Sequence, residues 1–223
     1  MSQFLLNVIF VIYVIAGVGL VAYGFNCYAS IYLFLKNSRR VRLTDRKNIL
    51  KFYREHSLDE LPVVTTQLPV FNEANCVERL IEAVCAMDYP KDKHEIQVLD
   101  DSTDECYEVT KRKVAEMQAC GYDIKLIHRT IRKDYKAGAL KEGMVVARGN
   151  FLAIFDADFV PEKDFLLKTI PYMVMDEQVG LVQGRWGHLN RMESGLTLAQ
   201  SIGIDGHFVV EQSARSWGNL FMN

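Results

Sequence analysis

Residues 151–159, FLAIFDADF, join an apolar run to two carboxylates spaced one residue apart. A short apolar run with aromatic and β-branched members reads as a buried strand. Asp156 and Asp158 stand where that strand ends. Upstream, residues 137–147 carry helical spacing and stop near Gly149. Residues 124–128 read as a short strand, 104–119 as a weaker helix, and 94–99 (HEIQVL) as a strand. Further back, Val77, Leu80, Ile81, Val84 and Cys85 share one face of a helix over 75–86, and 61–68 (LPVVTTQL) reads as a strand. Downstream, Pro161 suits the first turn of a helix. Residues 179–183 read as a strand and 194–214 as helical. Strands separated by helices predict an α/β fold: a mostly parallel, Rossmann-like sheet with helices on both faces.

In such sheets ligands bind beyond the carboxyl ends of the strands. The first strand is followed by Gln67-Leu68-Pro69-Val70-Phe71-Asn72-Glu73, and the second by Asp100-Asp101-Ser102-Thr103-Asp104. Tyr135-Lys136-Ala137-Gly138-Ala139-Leu140 lies between the third strand and the next helix, and Asp156-Ala157-Asp158 follows the fourth. Each cluster alone is an ordinary turn or cap. Four at one sheet edge are hard to attribute to turns. Two adjacent carboxylates repel, and a divalent cation relieves the repulsion. Mg²⁺ or Mn²⁺ takes oxygen ligands and completes its shell with phosphates and water. Carboxylates alternating along an extended segment face opposite sides unless a turn redirects one. Lys136, at a helix N-terminus, suits a diphosphate.

The N-terminal third is different. From Phe4 to Leu35 the chain is almost unbroken apolar sequence, longer than the roughly 20 residues that span a bilayer as helix. A signal peptide would have a basic residue before the run; here the basic residues follow it. Lys36, Arg39, Arg40, Arg42, Arg46, Lys47, Lys51 and Arg54 share the next stretch with a single acid, Asp45. The expected organisation is a transmembrane helix over 1–36, a basic juxtamembrane segment over 37–61, and a globular domain over 62–223. Flanking cations stay in the cytoplasm and lie beside anionic headgroups. That puts the domain on the cytoplasmic face of a membrane, with membrane lipid as a partner. The formal net charge of −2 is spread unevenly, so the globular part is acidic. An acidic domain is a poor nucleic-acid binder, and no nucleic-acid partner is expected. Five cysteines without a Cys-x-x-Cys spacing indicate free thiols rather than zinc or a disulfide framework.

In order, Pro-x-Phe-Asn-Glu, QVLDDSTD, YKAGAL, FDADFVP and QGRWGHLN resemble family-2 glycosyltransferases of GT-A fold. The wording is most similar to the cellulose-synthase-like and β-mannan synthase branch. The resemblance covers residues 62–223 and implies an inverting transfer of a hexose from a nucleotide sugar, GDP-mannose or UDP-glucose, to a polysaccharide or lipid-linked acceptor. It implies that Pro69, Phe71 and Glu73 lie around the nucleoside and that Asp101, with Asp100, binds base or ribose. Lys136 would meet the diphosphate. Asp158, with Asp156, would hold Mn²⁺ or Mg²⁺. His188, Asn190, Asp205, His207 and Glu211 are candidates for the acceptor side. The family's general base belongs to a Glu-Asp type motif that does not occur before Asn223. No catalytic residue is therefore assigned within the chain, and the domain is expected to be C-terminally incomplete. Gln183-Gly184-Arg185-Trp186 has one residue fewer than the family's Gln-x-x-Arg-Trp acceptor motif and is not given that role.

Two alternatives compete. A chain without its base would bind a nucleotide sugar without transferring it. LAIFDADFV also fits the haloacid-dehalogenase phosphatase pattern, with Asp156 as nucleophile and Asp158 as acid–base. That motif ends the first strand of its domain, whereas three strands precede this one.

Overall fold

The computed structural model describes residues 3–218. Residues 219–223, the end of the expected globular domain, lie outside them. Ile49–Val182 forms one compact unit; the chain up to Asn48 and the residues from Gln183 form a second.

Helix α1 (Gln3–Glu55) has 53 residues and runs without a break through the basic stretch. Its apolar part has the length and composition to cross a membrane, and none of its most apolar window is buried in the protein. The last turn is different: Phe52 is buried in the core and the Tyr53 hydroxyl donates to Leu167 O at 2.8 Å.

The larger unit holds a parallel sheet in the order β3–β2–β1–β4. The strands are β1 (Val64–Val70), β2 (His94–Asp100), β3 (Asp123–His128) and β4 (Phe151–Ile154). Between them lie α2 (Ala74–Cys85), α3 (Cys106–Ala119) and α4 (Tyr135–Val146), and α5 (Phe165–Met175) follows β4. Register sorts the side chains into two faces, as the period of two requires. Val64, Leu68, Ile96 and Val98 pack with Val77, Leu80, Ile81 and Val84 of α2, Val114 of α3 and Leu166 of α5. The opposite face is polar and equally buried. Thr65, Gln67, Glu95 and Gln97 lie there beneath α4. A Cβ on Gly143 would come within 2.5 Å of Gln67 Nε2 and 2.8 Å of Gln97 Oε1, so this glycine lets α4 approach. Glu95 is held by Thr65 Oγ1 at 2.6 Å, the Arg148 N–H at 2.7 Å and Lys125 Nζ at 2.8 Å. Burial raises its carboxyl, but these donors outweigh burial and hold it below the usual range.

Three expectations need correction. The first strand ends at Val70 rather than 68 and includes Pro69. The proline costs no ladder bond to β4, because β4 ends at Ile154, opposite Gln67. The helix expected to open at Pro161 begins at Phe165, after a turn, with Asp164 at its N-cap. Residues 179–183 form no strand: a strand needs a ladder partner, and Leu181 is instead 81% exposed.

In the smaller unit, α6 (Gly195–Asp205), a π turn (Gly206–Glu211) and α7 (Gln212–Trp217) follow one another. Ser194 caps α6, accepting from the Thr197 N–H at 3.1 Å. Trp217 stacks on Phe34 of α1, with ring centroids 5.7 Å apart.

Candidate donor site

At the carboxyl edge of the sheet, four loops enclose a cavity of about 310 Å³. Pro69, Phe71, Glu73, Asp101, Lys136, Asp156 and Asp158 all line it, and Arg132 does too.

The β1–α2 loop turns at Asn72, whose φ of 56° is left-handed. Asparagine tolerates that conformation better than most residues. The Asn72 N–H donates to Ser102 Oγ at 3.0 Å, and Asn72 Oδ1 accepts from the Thr103 N–H at 2.9 Å. These bonds tie the first two loops together and place Phe71 and Glu73 in the cavity. Burial, then Asp158 and Asp156, push the Glu73 carboxyl up.

Asp101 is held from behind. Arg129, the first residue after β3, donates Nε to Asp101 Oδ1 at 2.7 Å and Nη2 to Oδ2 at 2.6 Å. Both side chains are almost fully buried. Arg129 also donates to the carbonyls of Lys133 and Tyr135, at 3.2 and 2.9 Å. Those carbonyls flank Asp134 and Tyr135, both with positive φ, the turn from which α4 starts. One guanidinium thus joins the aspartate of the second loop to the helix that carries Lys136. Arg132 lies 3.3 Å over the Phe71 ring, a cation–π contact, with its Nε 3.8 Å from Asp101 Oδ2. Sequence reasoning gave Arg129 and Arg132 no role. Arg129 follows a strand directly at the ligand-binding edge, the same signal that selected Asp101.

Asp100 is placed differently from its neighbour. It is fully buried and does not line the cavity; its Oδ1 accepts from the Ser102 N–H at 2.8 Å. Among the described residues its Oδ2 has no hydrogen-bond partner, with His128 Nδ1 3.6 Å away.

After β4 the chain turns at once, the Phe159 N–H donating to Asp156 O at 3.1 Å. This turn redirects one carboxylate, so Asp156 and Asp158 both reach the cavity. Lys136 Nζ pairs with Asp156 Oδ1. Among the described residues, no group of three or more His, Cys, Asp or Glu side chains is close enough to make a protein-only metal site. The donor chemistry fits a hard divalent ion that takes one or two carboxylates and completes its shell with phosphate and water.

The acceptor-side candidates belong to the other unit. His188 Nε2 and Asp205 Oδ1 are hydrogen-bonded at 3.0 Å, and Arg191 Nη1 donates to Asp205 Oδ2 at 3.0 Å. His207 Nδ1 meets Glu211 Oε2 at 3.0 Å on the π turn.

The phosphatase pattern does not suit this topology: Asp156 and Asp158 follow the fourth strand in sequence, at the sheet edge, and Asp156 is paired with Lys136. Comparison with known proteins agrees. A probable glucomannan 4-beta-mannosyltransferase from Oryza sativa subsp. japonica is 45% identical over 159 residues, covering 70% of this chain and 28% of that protein. A glucomannan 4-beta-mannosyltransferase from Arabidopsis thaliana is 40% identical over 187 residues, covering 79% of this chain and 35% of the relative. The chain thus spans about a third or less of these relatives' length. A solved mannosyltransferase from Pyrobaculum calidifontis, in complex with GDP-Man and Mn²⁺, aligns at 27% identity with a TM-score of 0.48, covering 66% of this chain and 44% of that one. The sequence profile described as Glycosyl transferase family 2 matches residues 67–201, more than half of the chain. The chain belongs to glycosyl transferase family 2.

Proposed function

We propose that residues 62–223 form the donor-binding part of an inverting, divalent-metal-dependent hexosyltransferase that draws on a nucleotide sugar, with GDP-mannose favoured over UDP-glucose. The observation that carries this reading is one cavity lined by Glu73, Asp101, Lys136, Asp156 and Asp158. The preference for GDP-mannose rests on relatives named as mannosyltransferases.

Each residue has a role that its position supports. Phe71 and Pro69 offer apolar surface to the nucleoside, and Glu73 borders it. Asp101, fixed by Arg129, presents a carboxylate to base or ribose. Lys136, in the first turn of α4, meets the diphosphate, where the helix dipole adds positive potential. Asp158, with Asp156, would hold Mn²⁺ or Mg²⁺. The ion supplies charge neutralisation for the departing diphosphate. Placed charges of this kind stabilise a leaving group without reorganising during reaction. The general base is not assigned to a residue of this chain. The acceptor, a glycan or lipid-linked sugar, is assigned to the side of His188, Asp205, His207 and Glu211. Residues 1–36 would cross a membrane, 37–61 would meet anionic lipid, and the catalytic part would face the cytoplasm.

Calorimetry with GDP, UDP, GDP-mannose and UDP-glucose, with and without Mn²⁺, tests the donor reading. We expect metal-dependent binding of a guanine nucleotide, weakened about 10-fold or more by Asp158→Ala, as loss of a charged metal ligand implies. Metal-independent binding, or none by a folded chain, would refute it.

A further inference from the structure

Arg132 lines the donor cavity beside Phe71 and Asp101, with its hydrogen-bonding capacity unspent. Its guanidinium lies 3.3 Å over the Phe71 ring and 5.1 Å from the Tyr135 ring, so aromatic contact sets its plane. Its Nε is buried without a hydrogen-bond partner among the described residues. Asp101 Oδ2 is 3.8 Å from that Nε and already accepts from Arg129 Nη2 at 2.6 Å. A buried donor left unmade is costly, and here it lies at a cavity with room for an acceptor. The side chain is 36% exposed, which leaves part of its fork open to a ligand. The backbone around it is held. The Tyr135 N–H donates to Arg132 O at 3.3 Å, and Arg129 donates to the carbonyls of Lys133 and Tyr135.

We propose that Arg132 is a specificity-determining residue that reads the nucleobase and selects guanine over uracil. A guanidinium offers five N–H donors in a fixed planar fork, which matches two acceptors lying side by side. Guanine presents such a pair, O6 and N7. Uracil presents O4 beside the N3–H donor and has no acceptor at the matching second position. The fork therefore makes two bonds to guanine and one to uracil. Position separates this role from phosphate binding. Arg132 adjoins Phe71 and Asp101, at the nucleoside end of the cavity, whereas Lys136 is paired with Asp156 at the end assigned to the diphosphate. A phosphate contact would also serve both nucleotides alike and give no selectivity. The inference rests on the donor-site reading and derives its base from the cavity lining rather than from the relatives.

The test is calorimetry on the full chain in detergent with Mn²⁺, using GDP, UDP, 7-deaza-GDP and pyrophosphate, with circular dichroism as the folding control. The parent should bind GDP about 10-fold or more tighter than UDP, the scale of one bidentate base contact. Arg132→Gln should remove most of that preference by weakening GDP, with UDP and pyrophosphate changed less than about 3-fold. Arg132→Lys keeps the charge without the fork and should lose the preference too. 7-Deaza-GDP carries C–H in place of N7, so it should bind the parent more weakly than GDP and lose less on Arg132→Gln. Equal weakening of GDP, UDP and pyrophosphate by Arg132→Gln would make Arg132 a phosphate contact and overturn the proposal. So would an unchanged GDP-to-UDP ratio in both variants, or a parent that prefers UDP. In each of these cases the donor reading stands. A folded parent that binds neither nucleotide nor pyrophosphate would overturn both.

Discussion

Replacing Arg129 with methionine removes the group that joins three parts of the donor site. Its guanidinium and the Asp101 carboxylate are 5% and 4% exposed, so the aspartate would be left buried without its two-pronged partner. Breaking a buried pair from one side costs about 3–5 kcal/mol. Arg132, with its Nε 3.8 Å from Asp101 Oδ2, recovers some of that. The carbonyls of Lys133 and Tyr135 lose their donors, at about 1 kcal/mol each where they stay buried. Methionine fills much of the vacated space, so the cavity contribution is small. With Arg132 offsetting the two carbonyl losses, the expected loss is about 3–5 kcal/mol. Nucleotide affinity should fall too, because the turn that starts α4 and aims Lys136 loses its brace. Urea unfolding followed by circular dichroism, on Arg129→Met, Asp101→Asn and the double variant, measures this. The double variant should be more stable than the sum of the single losses predicts, by about 2 kcal/mol, since neither charge is left alone. A loss below about 1 kcal/mol, the scale of an exposed pair, would refute the reasoning.

Other outcomes follow from the same geometry. A Cβ on Gly138 would run into the Lys133 carbonyl and sit 2.8 Å from Arg129 Nη1. Gly138→Ala should therefore lose about 1–3 kcal/mol to overpacking, more than the ~1 kcal/mol gained in helix propensity; a more stable variant by thermal melting would contradict this. His94 is buried against Thr66 Oγ1 at 2.8 Å, and burial holds its imidazole down at about 4 from 6.5, with Asp123 opposing. The folded state then binds fewer protons than the unfolded one between those values. Stability is full above pH 6.5 and falls by up to about 3 kcal/mol toward pH 4. A His94→Gln variant should lose that slope in unfolding measured across pH, and an unchanged slope would rule His94 out as its source. Glu95, held below the usual carboxylate range, contributes stability that is present above its unfolded pKa and lost as pH falls through its folded one. Glu95→Gln should flatten that acid limb, as tested by melting temperatures below pH 4.5, its ordinary value.

Much of this protein was legible in the linear order of residues. The apolar run of α1, the helix-spaced Val77, Leu80, Ile81 and Val84, and the runs HEIQVL and FLAIF report local periodicity, which needs no tertiary information. The same runs located the sheet edge, because parallel topology puts all strand ends on one side. That led to Asp101, Lys136, Asp156 and Asp158, which the cavity brings together. What depended on the tertiary structure involves long-range pairing. The expected strand at 179–183 has suitable residues, yet a strand exists only with a ladder partner. Asp100 and Asp101 are indistinguishable in sequence; the pleat buries one carboxylate under the sheet and gives the other to Arg129 and the cavity. Arg129 reads as one basic residue among several in a loop. Only its burial against Asp101, 28 residues earlier in the chain, makes it the brace of the site.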